Sequence, residues 1–284
     1  MQITEFSLEQ IESLRDRTYH RNKYLQIKSI DAALDFINAV GFCFAFSARN
    51  WELPCLWHAA CGQRTPQMPR HTHHDPHIGL VWEAKDVLPA KKLVYYGKVL
   101  KKSPTFISLE FFPYFYALIA GQRGPDGYLS DFLDGTLSTA AKNILDSLNT
   151  ASPQITRDLK LSSGLSHPKQ RYEFDQAIAE LQAKMYLLKV AEFYEPFTFL
   201  WDLVLNQFPA IAEQAAPISR KMALGKILSK YFEVVWVADV TQIQRVFGWD
   251  KNEIGGVIEE LVTEGLLTAV PRAAGKFAWH ALEI

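Results

Sequence analysis

Between Lys85 and Lys102 six lysines (Lys85, Lys91, Lys92, Lys98, Lys101 and Lys102) face a single acid, Asp86. The chain as a whole carries 30 Lys+Arg against 31 Asp+Glu, so this run concentrates positive charge where the average has none. Local positive charge is what a phosphate backbone binds. On a helix running on from Pro89, Lys91, Lys98 and Lys102 fall at i, i+7 and i+11, which predicts a basic stripe beside Tyr95. An aromatic ring among lysines suits strands with exposed bases. The plain alternative is a lysine-rich surface helix that keeps the protein soluble.

Two further groups have metal-binding residue types. Arg70-His71-Thr72-His73-His74-Asp75-Pro76-His77 holds four histidines, and Cys55, His58 and Cys61 stand at i, i+3 and i+6. Imidazole is the commonest transition-metal ligand, but structural zinc sites draw their ligands from separated pairs, a spacing absent here. The histidine run therefore reads as a polar loop able to meet phosphate when protonated, and the thiols beside Trp57 read as small core residues. Neither a metal nor another cofactor is expected. No glycine-rich phosphate loop, serine elbow or nucleotide fingerprint occurs. The run Gly121-Gln122-Arg123-Gly124-Pro125-Asp126-Gly127 lacks a strand-to-helix context and reads as a loop.

The elements that must position these groups are clearest in the second half. Leu137, Ala140, Ala141, Ile144, Leu145 and Leu148 recur with helical period. A turn at Ala151-Ser152-Pro153, a short Thr156-Arg157-Asp158-Leu159 segment and a longer helix lined by Phe174, Ile178, Leu181 and Met185 follow, and Tyr186 to Val190 reads as a strand. The order then repeats: a helix over 218–231, a short one from Val240 to Phe247, and a third from Asn252 to Thr263 stopped by Gly265. Two apolar segments, Leu266 to Val270 and Lys276 to Ala281, flank Pro271-Arg272-Ala273-Ala274-Gly275, a hairpin signal. Helix, helix, helix, hairpin is the order of a winged helix.

In a winged helix the third helix usually enters the major groove. In the last copy that helix carries Glu253, Glu259, Glu260 and Glu264, which would repel phosphate, so this copy is expected to serve packing or protein contact. The middle copy opens its third helix with Lys169, Gln170 and Arg171 and is the better candidate for touching DNA. A merely solvated helix face is the competing reading.

The composition excludes several classes. Of 284 residues 48% are hydrophobic, yet no apolar run reaches the length a bilayer helix needs. The first residues show no basic-then-apolar leader, so a cytoplasmic location is expected. Three cysteines are poor material for a disulfide framework. A net charge of −1 argues against sequence-independent coating of nucleic acid and leaves only a localised contact.

With Trp82, Lys85-Asp86, Leu88-Pro89-Ala90-Lys91-Lys92, Tyr96-Gly97-Lys98 and Pro104 to Leu109 in view, the chain resembles an uncharacterised branch related to the YcaQ/AlkZ winged-helix DNA glycosylases. Ala33 to Asn38 and Val40 to Phe44 carry the same resemblance, which runs from about Tyr24 to Leu267. It implies tandem winged-helix units around a DNA-binding concavity, and removal of alkylated or crosslinked bases. It also implies a Gln-apolar-Gln or Gln-apolar-Asp motif whose polar groups position water against the sugar carbon. The nearest match is Gln26-Ile27-Lys28. Gln26 fits; Lys28 departs, because a cation opposes an oxocarbenium-like centre unless it loses its proton or acts as an amine nucleophile. The tripeptide can equally be a lead-in to a helix capped by Ser29.

The expectation is thus a mostly α fold with small β-hairpins (α+β), built as tandem winged-helix units over 1–134, 135–215 and 216–284. The first unit carries the aromatic, lysine-rich insertion. The expected partner is DNA, duplex and intact or damaged, bound by Lys85, Lys91, Lys92, Lys98, Lys101, Lys102, Lys169 and Arg171. Gln26 and Lys28 are the catalytic candidates, and the acidic last unit is available for protein contact. The competing function is a non-enzymatic winged-helix regulator or adaptor.

Overall fold

One order of elements, helix, strand, helix, helix, strand, strand, occurs three times in the computed structural model. The model describes residues 7–46, 52–121, 123–124, 126–272 and 276–281, with only the backbone for 271–272 and 276–281. After α1 (Leu8–Thr18), the first copy comprises α2 (Ile30–Val40), β1 (Phe42–Phe44), α3 (Leu56–Cys61), α4 (Pro76–Ala90), β2 (Val94–Gly97) and β3 (Thr105–Ser108). Helices α5 (Phe112–Ile119) and α6 (Gly127–Leu133) lead to the middle copy. That copy is α7 (Thr139–Thr150), β4 (Gln154–Ile155), α8 (Thr156–Ser162), α9 (Arg171–Ala183), β5 (Leu187–Tyr194) and β6 (Phe197–Leu203). Short helices α10 (Val204–Gln207) and α11 (Ile211–Ala215) precede the last copy: α12 (Arg220–Val235), β7 (Val237–Ala238), α13 (Val240–Phe247), α14 (Lys251–Thr263), β8 (Leu267–Arg272) and β9 (Lys276–Ala281).

Each copy's three strands form one antiparallel sheet with the copy's last strand in the middle, in the orders β1-β3-β2, β4-β6-β5 and β7-β9-β8. The first helix of each copy also starts alike. Ser29, Ser138 and Ser219 accept the backbone N–H three residues on, each at 3.2 Å, which satisfies one of the open donors at a helix start. The repeat is therefore present in the first copy too, where insertions between its elements hide it. The chain is mostly helical with small antiparallel sheets, an α+β arrangement.

Buried side chains divide unequally among the copies. One large core joins the first and last: Phe42 packs edge-on against Phe115 at 5.2 Å and Phe247 at 5.9 Å, and Phe247 meets Tyr231 at 5.4 Å. A separate core, including Leu137, Ile144, Phe174, Leu181 and Trp201, belongs to the middle copy. Arg123 helps fasten the two bodies. Its guanidinium donates to the Ile119 and Lys184 carbonyls at 2.8 and 3.0 Å, pairs with Asp131 at 2.9 Å and lies over the Tyr186 ring. From the other side α1 reaches the last copy, where Arg15 donates to the Val235 and Val237 carbonyls at 2.9 Å each.

The structure overturns the helix expected from Pro89. Helix α4 ends at Ala90, Lys92 turns back with φ 55°, and Val94–Gly97 is a strand pairing Tyr95 with Ile107. The cause is tertiary: pairing with β3 buries Tyr95 completely, stacked on Phe112 at 4.5 Å, which a lysine-faced surface helix could not do. Lys91, Lys98 and Lys102 consequently form no helical stripe. In the last copy Gly265 takes φ 74° just past α14, as its place after the helix predicts. The turn residues Ala273, Ala274 and Gly275 lie outside the described residues, as do Gln122 and Pro125 of the glycine-rich run.

Candidate nucleic-acid interface

A cavity of about 930 Å³ opens between the first and middle copies. Its first-copy wall is formed by the end of β2 at Tyr96-Gly97-Lys98, together with Lys85, Phe46 and Pro104. Its other wall comes from α8, α9 and the β5–β6 hairpin. Six cations line it, Lys85, Lys98, Arg157, Lys160, Arg171 and Lys189, against two carboxylates, Asp175 and Glu192. In a near-neutral chain this lining carries a local cationic excess.

Strand geometry explains the aromatic part of the wall. Side chains alternate along β6, so Phe197, Phe199 and Trp201 share one face and all line the cleft. Their rings touch edge to face at 5.1 and 5.5 Å. Exposure falls along the row from Phe197, 61% exposed near the hairpin tip, to buried Trp201, whose indole N–H donates to Thr156 Oγ1 at 3.0 Å.

Strand β5 supplies an ion cluster through an irregularity. Lys189 pairs with Trp201 but Ala191 with Leu200, so one extra residue is inserted between them. In a regular strand positions three apart face opposite ways; the insertion brings Lys189 and Glu192 to the same side. There Glu192 accepts from Lys189 and, at 2.6 Å, from Lys85 of α4, while Asp86 accepts from Lys85 at 3.0 Å and Lys189 at 3.1 Å. The Tyr194 hydroxyl donates to the same carboxylates at 3.2 Å. Burial alone would raise the Glu192 carboxyl, but hydrogen bonds from Lys189 and Lys85 and their charges outweigh it and hold it below the ordinary glutamate value. Burial likewise opposes the charge on Lys85, and bonds to Glu192 and Asp86 raise it nonetheless. The cluster ties the hairpin to α4 and so fixes the width of the cleft. Lys98 adds a second tie, donating its backbone N–H to buried Gln182 at 3.3 Å.

The expected DNA-contacting residues thus separate. Lys85, Lys98 and Arg171 line the cleft, with Lys85 engaged by carboxylates. Lys91, Lys92, Lys101, Lys102 and Lys169 are exposed but do not line it, and Lys101 reaches toward Gly248 at the end of α13. Arg157, Lys160, Lys189 and the phenylalanines of β6 were missed. The alternation Phe197-Thr198-Phe199-Leu200-Trp201 could have revealed the aromatic row; nothing local marks Arg157 and Lys160 as partners of Lys98.

Gln26 and Lys28 stand apart from this cleft. Gln26 Nε2 donates to the Ala60 carbonyl at 2.8 Å and the Ile27 N–H to that of Ala59 at 3.1 Å, docking the segment on the end of α3. The close approach requires Gly62, where a Cβ would stand 3.1 Å from that of Gln26. Lys28 is exposed beside Ser29. Nearby, burial pushes His58 down to about 4, with Arg21 adding to the effect. All three cysteines are buried, and burial pushes Cys61 up to about 11. Asp75 caps α4 through the His77 and Ile78 N–H groups, and His73 packs on Trp82 at 5.1 Å. Among the described residues no group of three or more His, Cys, Asp or Glu is arranged to hold a metal ion. No described helix is long and apolar enough to cross a membrane.

Three copies of one helical unit, with a cationic cleft between the first two, define a class of chain that comparison with known proteins narrows. Residues 27–248 match the family model described as AlkZ related, and the chain belongs to that family. The structure of Streptomyces sahachiroi DNA glycosylase AlkZ is similar over 98% of this chain and 70% of that one, with a TM-score of 0.63 at 13% sequence identity. That likeness establishes an AlkZ-like fold. Among curated proteins none matches the sequence significantly.

Proposed function

We propose that this chain is a DNA-binding protein of three tandem winged-helix units, divided near residues 134 and 215, that holds DNA across the cleft between the first two. The observation that carries the reading is the lining: six cations against two carboxylates, in a chain whose net charge is −1. Lys85 and Lys189 are neutralised by Asp86 and Glu192, which leaves Lys98, Arg157, Lys160 and Arg171 to meet phosphates of a duplex, intact or damaged. Lys91, Lys92, Lys101, Lys102 and Lys169 would extend the contact outside the cleft.

The membership of the AlkZ-related family favours a repair activity: hydrolysis of the N-glycosidic bond of an alkylated or crosslinked base. Gln26 suits the positioning role, because the bond from its Nε2 to Ala60 fixes the amide and turns Oε1 to serve as acceptor for a water or a developing positive centre. Lys28 would then act as an amine or merely hold phosphate. A base-release assay on alkylated and crosslinked duplexes tests this: release by the wild type, lost in Gln26→Ala with DNA affinity kept, supports glycosylase action. Binding without release from any lesion contradicts it and favours a non-enzymatic regulator or adaptor. The placement of Gln26 and Lys28 outside the cleft is the observation on that side.

The last unit we read as a packing or protein-contact module. Arg220 and Lys221 of α12 neutralise Glu253 and Glu260, while Glu259 and Glu264 stay exposed on α14. Charge reversal of Lys98 and Arg171 together should weaken duplex affinity at least tenfold, whereas Lys221→Glu, far from the cleft lining, should leave it within about threefold. Equal effects would remove the cleft from the reading.

A further inference from the structure

The middle copy is built in a way that does not suit an intact groove. The solvent side of α9 presents Tyr172, Glu173, Gln176 and Glu180. Laid in a major groove, about 12 Å wide, those two carboxylates would face phosphates on either side. The cation of α9, Arg171, stands instead at its N-terminal end and lines the cleft with Arg157 and Lys160 of α8. A duplex lying across the cleft keeps its bases paired and away from the aromatic row, on which only unpaired bases can stack. Its aromatic row also needs explanation, since Phe197 holds 61% of its surface in water beside other exposed rings, Phe193 and Tyr194.

We propose that the cleft takes up a short unpaired segment of DNA, its bases stacked on Phe197 and Phe199 and its phosphates on Arg157, Lys160 and Arg171. The inference rests on the DNA-binding reading above and names the form of DNA that enters. Alternation of aromatic faces with cations along one groove is the arrangement that holds single strands. Gln182 Oε1 and Thr156 Oγ1 are already engaged, by the Lys98 backbone N–H and the Trp201 indole N–H. Lys160 stands 4.8 Å from the Phe174 ring centre, and Arg171 is only loosely paired with Asp175 at 3.9 Å, so both cations are available to phosphate.

Fluorescence anisotropy with the full chain tests the inference, using a labelled thymidine oligomer of about twelve nucleotides and a blunt duplex of matched length. The double variant Phe197→Ala, Phe199→Ala is expected to bind the oligomer at least about tenfold more weakly while duplex affinity stays within about threefold. Phe197→Ala alone, at an exposed position, guards against loss of fold and should give part of the effect. Phe197→Trp should retain affinity and show fluorescence quenching when the oligomer binds. Unchanged oligomer binding by the double variant, or equal loss for both DNAs, overturns the inference. Duplex binding by a wild type that ignores the oligomer overturns this inference alone, and failure to bind either DNA overturns the DNA-binding reading as well.

Discussion

Glu192 shows how a single inserted residue becomes an electrostatic element. Held ionised by Lys189 and Lys85, it keeps two lysines within one site from repelling each other. Glu192→Gln should cost about 2 kcal/mol at neutral pH, because Lys85 and Lys189 are left with Asp86 as their one shared counter-charge. Its folded pKa lies below the unfolded glutamate value of about 4.5, so the carboxylate stabilises the fold above that pH and the contribution is lost as pH falls through the folded value. Denaturation of wild type and variant should therefore converge in acid; a gap that persists there contradicts the pairing. His58 behaves in the complementary way. Its folded pKa of about 4 lies below the ordinary 6.5, so the unfolded chain takes up the proton first. Stability should fall as pH drops across that window, by at most about 1.4 kcal/mol per unit. Urea melts of His58→Gln at several pH values should lack that slope, and an unaltered slope would assign it elsewhere. Neither role was legible in the sequence: Glu192 is brought to Lys85 by a strand irregularity, and His58 owes its shift to packing around it.

At the scale of elements, the helices and strands were legible where period and caps agreed. The leucine and isoleucine spacing of α7, the helices of the last copy and the Ser29 start of α2 are local signals, and each corresponds to a helix. The lysine run misleads because its charge spacing mimics a helical period; Val94-Tyr95-Tyr96 is an apolar strand whose fate is decided by its pairing with β3. A similar long-range constraint acts where α2 turns into β1. Gly41 has φ 78°, and a Cβ there would stand 2.9 Å from the Phe111 ring. Gly41→Ala should cost about 3 kcal/mol, from backbone strain plus overpacking. Gly164, with φ 72° but open space around it, should cost only about 1 kcal/mol on the same change. Thermal or chemical melts of the two variants compare these directly; equal losses would mean that strain alone, without the Phe111 contact, sets the cost.

Over the whole molecule, one core joins the first and last copies and reaches Met185 and Leu188 of the middle copy, whose remaining core is separate. Leu145→Ala in the middle core should destabilise that copy by about 2–5 kcal/mol and speed amide exchange there first, leaving the core around Phe42 and Tyr231 protected. Uniform acceleration would show a single cooperative unit. The repeat order and the net charge were visible in the sequence, but the cleft was not, because it is assembled from segments as far apart in the chain as Phe46 and Trp201. The central claim is that DNA lies on this cleft's cations, and the salt dependence of duplex binding tests it most directly. Compared with wild type, the triple variant Arg157→Glu, Lys160→Glu, Arg171→Glu should bind more weakly and flatten the slope of log affinity against log salt by about 2 or more, since each lost phosphate contact removes about 0.9. A triple variant with wild-type affinity and an unchanged slope would contradict the account.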